Sequence, residues 1–377
     1  MKESVVIRDF GPINEMAVDD LRPFLFLIGP SGSGKSTFLK IMAFLRWCYK
    51  MMCIRSYLYY SGIKKSAFRI NFRSHLKIMG MDKFLKNSSF IKYEYGNFSI
   101  IFDGKLHFPQ KYVPREELSL EKVAFISDKR NLIGDILENN VTVRRSAYYM
   151  NETLDNYLSA TDYIKSFEMP GLAVELKVKK TSNGVKHVIE PLDGSTPYSI
   201  NLNEASSGTQ SSMPLGIIME YLTKKFNIVD SLNDSMLKYA AKSDRLRDFK
   251  AVSNVGDLSN CRVSIFIEEP EISLFPATQR QLLDMLVADC NSTTKYQTWM
   301  MVATHSPYLI NHLNVLLRRG EDAPHINAED LCVYNVADGK LQSLVSIDSE
   351  TQETVIDTLE LSEPMEDIYN EYEALGR

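Results

Sequence analysis

Gly29-Pro30-Ser31-Gly32-Ser33-Gly34-Lys35-Ser36-Thr37 joins one apolar run, Phe24-Leu25-Phe26-Leu27-Ile28, to another, Phe38-Leu39-Lys40-Ile41-Met42-Ala43-Phe44. The stretch satisfies the pattern G-x-x-x-x-G-K-[ST] at each fixed position, in the order strand, loop, helix. Glycines let a backbone wrap closely around an anion, so that successive N–H groups and the start of the next helix point at it. On this reading Gly29, Gly32, Ser33 and Gly34 form a phosphate cradle, Lys35 reaches the outer phosphates, Ser36 ligates Mg²⁺ and Thr37 completes the loop. A Gly/Ser turn without a ligand would not require a lysine and a hydroxyl at those two places.

The rest of the composition frames that loop. With 377 residues, 44% of them hydrophobic, the chain can bury one large core or two smaller ones. No uninterrupted apolar stretch approaches the ~20 residues that cross a bilayer, and Met1-Lys2-Glu3-Ser4 does not lead into a signal-peptide core, so cytoplasmic residence away from membranes is expected. Five cysteines without a C-x-x-C pair point to neither a disulfide framework nor a zinc site.

The formal charge of -5 is unevenly spread. Residues 46–86 hold ten bases against the single acid Asp82, with Trp47, Tyr49, Tyr57, Tyr59, Tyr60, Phe68 and Phe72 interleaved; residues 348–377 hold ten acids against the single base Arg377. Such asymmetry suggests interaction surfaces, or solvated helix faces. The basic stretch suits nucleic acid, through phosphate contacts and base stacking. Equally, its aromatics can pack a core while its bases dock the acidic tail or an acidic protein.

In chain order, strands are expected over 4–10 and near 15–18, a helix over 38–61, and an antiparallel meander over 90–108. Val123-Ala124-Phe125-Ile126 reads as a strand running into Ser127-Asp128-Lys129-Arg130, followed by helix from about 132 to 167. A hairpin follows over 172–190, turning at Asn183-Gly184, and a helix runs from Pro214 to about Phe226. Just before that helix, Ser206-Ser207-Gly208-Thr209-Gln210 offers hydroxyls and backbone N–H groups, as a cap or as a second anion contact. The polar residues 230–260 read as an exposed insertion. Two later strands end in chemistry: Val263-Ser264-Ile265-Phe266-Ile267 in Glu268-Glu269-Pro270-Glu271, and Trp299-Met300-Met301-Val302-Ala303 in Thr304-His305-Ser306-Pro307. Paired carboxylates at a strand end suit Mg²⁺ and a water-activating base.

This ordered set of motifs resembles the ABC-type ATPase heads of the SMC, RecF and OLD group over about residues 4–315. Within that group, Ile267-Glu268-Glu269-Pro270-Glu271 followed by Ala303-Thr304-His305-Ser306-Pro307 looks most like the compact AAA-family ATPases of bacterial anti-phage defence, such as PARIS and Septu. The resemblance implies an α/β fold: an ABC-type P-loop ATPase head over 1–347 with a mixed central sheet, an antiparallel β-meander, a short helical lobe over about 131–168 and the insertion at about 230–260. An acidic C-terminal tail, 348–377, would follow.

It also implies hydrolysis of ATP to ADP and phosphate with Mg²⁺. Lys35, Ser36 and Thr37 would hold the phosphates, Glu268 would organise Mg²⁺, Glu269 would deprotonate the attacking water, and His305 would contact the γ-phosphate. Ser206, Ser207, Gly208 and Gln210 would close the site from a second copy, making the protein a homodimer or higher oligomer. Three departures stand out: Glu268 replaces an aspartate, Ser127-Asp128-Lys129-Arg130 replaces a glutamine, and the interval from Arg130 to Asn203 leaves no room for a long coiled coil. The residues after His305, which end in an acidic tail, are not expected to form a metal-binding nuclease domain either. The expectation is therefore a nucleotide-dependent dimerising switch controlling a separate effector, a nuclease or toxin, in antiviral defence. The alternatives are a RecF/SMC-like DNA-binding repair or loading ATPase that uses residues 46–86, and a scaffold with structural ATP, against which Glu269 and His305 argue.

Overall fold

The computed structural model describes residues 1–62, 69–138, 148–182, 184–193, 197–230, 261–292 and 295–375. Five apolar runs become parallel strands: β3 (Phe24–Ile28), β7 (Leu120–Ile126), β12 (Cys261–Glu268), β13 (Gln297–Thr304) and β14 (Leu331–Ala337), lying side by side as β14-β3-β13-β12-β7. Near-continuous apolar sequence suits such strands because both faces of a parallel sheet are covered. Phe24, Phe26, Ile28, Ile265, Ile267, Met300 and Val302 enter one core; Leu25, Leu27, Phe266, Met301 and Ala303 enter the other. The alternation is the strand period of two, read on both faces.

Antiparallel strands extend the sheet. β1 (Glu3–Phe10), β2 (Ile13–Val18), β4 (Leu85–Tyr95), β5 (Phe98–Phe102), β6 (Leu106–His107) and β15 (Lys340–Ser343) complete a mixed sheet of eleven strands among the described residues, ordered β6-β5-β4-β1-β2-β15-β14-β3-β13-β12-β7. The expected meander is present and starts earlier, at Leu85. One face of the sheet carries α1 (Lys35–Tyr60) and α2 (Phe72–Ile78). On the other lie α4 (Tyr148–Tyr163), α5 (Ser207–Glu220), α6 (Pro276–Asn291) and α7 (Pro307–Arg318), with the short α3 (Ile133–Glu138) between β7 and α4.

The helix expected over 38–61 is present as α1, which begins three residues earlier and carries the aromatic sequence through to Tyr60. Several other expectations need correction. The helical lobe ends at Tyr163, because Ser166-Phe167-Glu168-Met169 alternates exposed and buried and forms β8 (Ser166–Met169). With β9 (Val174–Thr181), β10 (Gly184–Pro191) and β11 (Ile200–Asn201) it makes a second sheet, ordered β11-β10-β9-β8. Gly216 on α5 admits this sheet closely, since a Cβ there would stand 2.5 Å from the Phe167 ring. α5 itself starts at Ser207 and not at Pro214, because the Ser206 side chain caps it by accepting the Thr209 N–H at 3.3 Å. Pro214 sits inside this helix.

At the C-terminus a hairpin, β16 (Val345–Ile347) with β17 (Thr354–Ile356), crosses the expected boundary at 347, and the acidic residues continue as α8 (Leu359–Leu375). The expected insertion from 231 onward, the turn residue Asn183, and Lys64, Lys65 and Phe68 of the basic stretch lie outside the described residues. No helix among those described is long and apolar enough to cross a membrane.

The basic aromatic stretch is divided between core and surface. Arg46 is fully buried: its Nε and Nη2 donate to Glu3 at 2.9 and 3.0 Å, and its Nη1 donates to Ser264 at 2.9 Å. Tyr49, Tyr57 and Phe72 are buried, and Trp47 packs against Phe44 and His75. Arg69, Arg73, Lys77, Lys83 and Lys86 are exposed. Three of the interleaved aromatics, Tyr49, Tyr57 and Phe72, are therefore core, whereas Trp47 and Tyr60 are half-buried and Tyr59 is exposed.

Candidate active site

Strand register brings the motifs together. Ile28 lies level with Thr304, Ala303 with Glu268, and Ile267 with Ile126. The next residues along these four adjacent parallel strands are Gly29, His305, Glu269 and Ser127, all at the carboxyl edge. That edge is where open α/β sheets present their ligand-binding groups.

The phosphate loop is held in a conformation that glycine permits. Gly29, Gly32 and Gly34 have φ of 148°, 80° and 112°, and a Cβ on Gly29 would meet the Val336 carbonyl at 2.3 Å. Lys35 is buried, and its Nζ donates to the carbonyls of Gly29 and Pro30 at 2.7 and 2.9 Å. Burial pushes its pKa down, opposed by the negative charges of Glu269 and Glu271. Ser36 and Thr37 form the first turn of α1, with Thr37 buried.

Glu268 is 2% exposed, and burial raises its pKa against the opposing pull of Lys40 and the Ser36 hydroxyl. Its Oε1 pairs with Lys40 at 2.8 Å. Lys40 lies four residues after Ser36, on the same face of α1, and this helical spacing is the signal by which the sequence could have revealed it.

Glu269 takes the left-handed conformation, φ 45°, rare outside glycine. Two bonds hold it: its N–H donates to the Ala303 carbonyl at 2.8 Å, and its own carbonyl accepts from Arg130 at 2.7 Å. The turn sends its carboxylate toward His305, with Oε1 3.6 Å from Nε2. Both side chains remain about one-third exposed, at 37% and 35%, so solvent reaches them. Glu271, absent from the expected set, accepts the His305 N–H at 2.6 Å.

The largest omission from the sequence reading is Arg130. It is fully buried and donates to four main-chain carbonyls: Ser127 at 3.1 Å, Ser211 at 2.8 Å, Glu268 at 2.8 Å and Glu269 at 2.7 Å. One guanidinium thus ties the ends of β7 and β12 to α5. No local pattern marks it, because its acceptors are distant in sequence and carry no side-chain signature.

The Ser206 region is placed separately from the phosphate loop. Ser206 and Ser207 are exposed, while Gly208 is buried against the loop after Glu269; a Cβ there would come within 2.9 Å of the Ser273 carbonyl. The Ser211 hydroxyl donates to the Ile272 carbonyl at 2.8 Å. Gln210 folds back, donating from Nε2 to Asn203 and Ala205 carbonyls at 2.9 and 2.7 Å. Among the described residues, no hydrogen bond runs from 206–212 to 29–37. Ser206 and Ser207 are thus exposed at the start of α5, with the Ser206 hydroxyl engaged by Thr209 of its own helix.

The unsatisfied atoms indicate what the site accepts. Ser33 Oγ, Glu268 Oε2 and Glu271 Oε2 are buried without a hydrogen-bond partner among the described residues. A lysine and loop N–H groups suit phosphate, and unpartnered hydroxyl and carboxylate oxygens suit a hard divalent cation. Among the described residues no cluster of three or more His, Cys, Asp or Glu could hold a metal alone. Mg²⁺ typically takes one or two carboxylates together with substrate phosphates, and this donor set fits that habit.

No family model matches the chain, and no curated protein matches it either. Among solved structures, the SMC head domain from Thermotoga maritima is similar at 10% identity, over 95% of this chain and 99% of that one, with a TM-score of 0.37. The Pyrococcus furiosus Smc head with an extended coiled coil, bound to the C-terminal domain of ScpA, is similar at 9% identity over 97% and 98%, TM-score 0.40. A dimeric ATP-binding cassette in a post-hydrolysis state with ADP and Pi is similar at 12% identity over 90% and 96%, TM-score 0.32.

Proposed function

We propose that this chain binds and hydrolyses ATP, with two copies facing each other so that each site takes residues from both. The observation that carries this reading is the meeting of the phosphate loop, Glu268, Glu269 and His305 at the ends of three neighbouring parallel strands. Lys35 and the loop N–H groups bind the phosphates. Ser36 and Glu268 would hold Mg²⁺, which supplies charge neutralisation along the phosphate chain. Glu269, turned toward His305 and open to solvent, orients a water and accepts its proton; His305 would meet the terminal phosphate. Ser206 and Ser207, exposed at the start of α5, close the site of the second copy. With the terminal phosphate gone, those cross-subunit contacts go too, and the dimer loosens.

The finer reading is that this cycle controls a separate effector, a nuclease or toxin, in bacterial antiviral defence; the motif resemblance supports it. Direct DNA binding is the second reading, favoured by the exposed bases Arg69, Arg73, Lys77, Lys83 and Lys86. Turnover and solution mass with and without ATP test the core of the proposal. Glu269→Gln should keep nucleotide binding, lower turnover by about 10²-fold or more and accumulate the ATP-bound dimer, whereas Lys35→Ala should weaken binding itself. Hydrolysis by Glu269→Gln at the unmodified rate removes Glu269 from the role of base.

A further inference from the structure

α8 buries none of its residues. Its apolar side chains recur at 365, 368, 372 and 375, helical spacing that places them on one stripe. Exposure rises along the stripe: Met365 is 52% exposed, Ile368 62%, Tyr372 75% and Leu375 79%. Glu360, Glu363, Glu366, Asp367, Glu371 and Glu373 occupy the flanks and back without a single base among residues 359–375. A solvated tail does not need a continuous apolar stripe, and an exposed one marks a docking surface. Pairing of two such helices with each other would set carboxylates against carboxylates on both flanks.

A complementary surface exists on the same chain. Beside α2 lies a cavity of about 210 Å³, lined in part by Phe44, Trp47, His75, Ile78, Met79 and Tyr148. Ile78 and Tyr148 at its rim are 52% and 38% exposed. Arg69, Arg73, Lys77, Lys83 and Lys86 are exposed along the same segment, and Lys50 also lines the cavity. Two acids belong to this face as well: Asp82 is exposed, and Glu152 in the cavity wall accepts the Phe125 N–H at 3.2 Å.

The root of α8 decides between its own α2 and another's. Asn314 of α7 brackets Ile356, donating to its carbonyl at 3.0 Å and accepting its N–H at 2.8 Å, and the Thr358 hydroxyl donates to Asn311 at 2.8 Å. α7 belongs to the core on one side of the central sheet, α2 to the core on the other. A helix of this length spans about 25 Å, and rooted there it has none of its residues buried against its own chain, which leaves its stripe free for a second copy.

We propose that α8 docks on a second copy of this chain, its apolar stripe in the α2 cavity and its acids against the α2 bases. The contact does not involve the nucleotide site and stands whether or not ATP is hydrolysed.

The test uses the full chain without nucleotide. One variant reverses the helix (Glu363→Lys, Glu366→Lys, Asp367→Lys, Glu371→Lys) and another the face (Arg73→Glu, Lys77→Glu, Lys83→Glu), with unfolding midpoints confirming that each folds. Sedimentation velocity of the unmodified chain should show self-association that weakens at least about tenfold in either variant and with added salt, and an equimolar mixture of the two variants should recover it. A photoreactive residue at Tyr372, in a mixture of isotopically light and heavy chains, should cross-link between chains to peptides covering 69–79. A monomer at all concentrations overturns the proposal. So do cross-links confined to one chain, or a face variant that loses duplex DNA binding while self-association is unchanged, which gives the face to nucleic acid.

Discussion

Arg130 is the residue whose geometry most constrains the site. Burial pushes its pKa down to about 10, with the nearby acids of the site opposing, so it stays charged at neutral pH. Its planar fork donates to four carbonyls on three segments, an arrangement that a single ammonium cannot reproduce. Two of these acceptors belong to Glu268 and Glu269, so the guanidinium also holds the left-handed turn that aims the proposed base. Backbone in that region costs ~1–3 kcal/mol and persists only where the surroundings over-determine it. Arg130→Lys should therefore lose most of the fork, destabilise the fold by ~2–4 kcal/mol and reduce ATP turnover about tenfold or more, with ATP affinity changed far less. Thermal unfolding, nucleotide titration and steady-state turnover read the three effects separately. Full turnover in Arg130→Lys would show that the turn at Glu269 holds without the fork.

At the scale of elements, α5 and the loop after β12 form one wedge. Gly208 lets the helix start touch Ser273, Ser211 bonds Ile272, and Gln279 on α6 holds the far end of the loop by donating to the Leu274 carbonyl at 2.9 Å. Ser206 and Ser207 are exposed at the start of this wedge. Ser207→Arg should accordingly leave each head folded and able to bind ATP while abolishing turnover, because a bulky cation stands where the second copy must approach. Mixed with Lys35→Ala, it should regain part of its activity, since a mixed dimer contains one site with both Lys35 and Ser207 intact. Inactive mixtures that demonstrably contain heterodimers would argue against a shared site. Much of this element level was legible beforehand. The strands that lead into Gly29, Glu269 and His305 are apolar runs of five to eight residues that stop at polar or glycine residues, and that short length selects strand over helix. Pro214 has the sequence character of a helix opening, whereas the Ser206 cap, a weaker signal, sets the start of α5 seven residues earlier. β8 is not separable in the sequence from the preceding helix, because four residues carry too little periodicity to distinguish strand from helix.

At the scale of the whole molecule, a buried ionic cluster joins strands and helix away from the carboxyl edge of the parallel strands. Glu3 on β1 accepts from Arg46 on α1, from Arg262 on β12 at 2.5 Å and from Tyr93 on β4 at 2.7 Å, while Arg262 and Ser264 reach Glu121 on β7 at 3.1 and 2.6 Å. Trp299 covers both guanidinium groups, 4.7 and 5.1 Å from its ring centre. Burial alone would raise the Glu3 pKa, but Arg262 and Arg46 overcome it and hold the carboxyl at about 2, below its usual 4.5. A carboxylate whose pKa is depressed on folding contributes stability that is fully present above the unfolded value. That contribution is lost as pH falls through the folded one. The window is thus from about pH 4.5 down to about 2. Glu3→Gln removes the titrating group and leaves two buried cations short of a partner, at a cost of ~3–5 kcal/mol near neutrality. Urea unfolding of both proteins from pH 7 toward pH 2.5 should show the unmodified chain losing stability more steeply below pH 4.5, so that the gap between the two narrows with acid. A gap that stays constant across that range would mean that the ionisation of Glu3 does not stabilise the junction, and that packing around Trp299 holds these strands and α1 together.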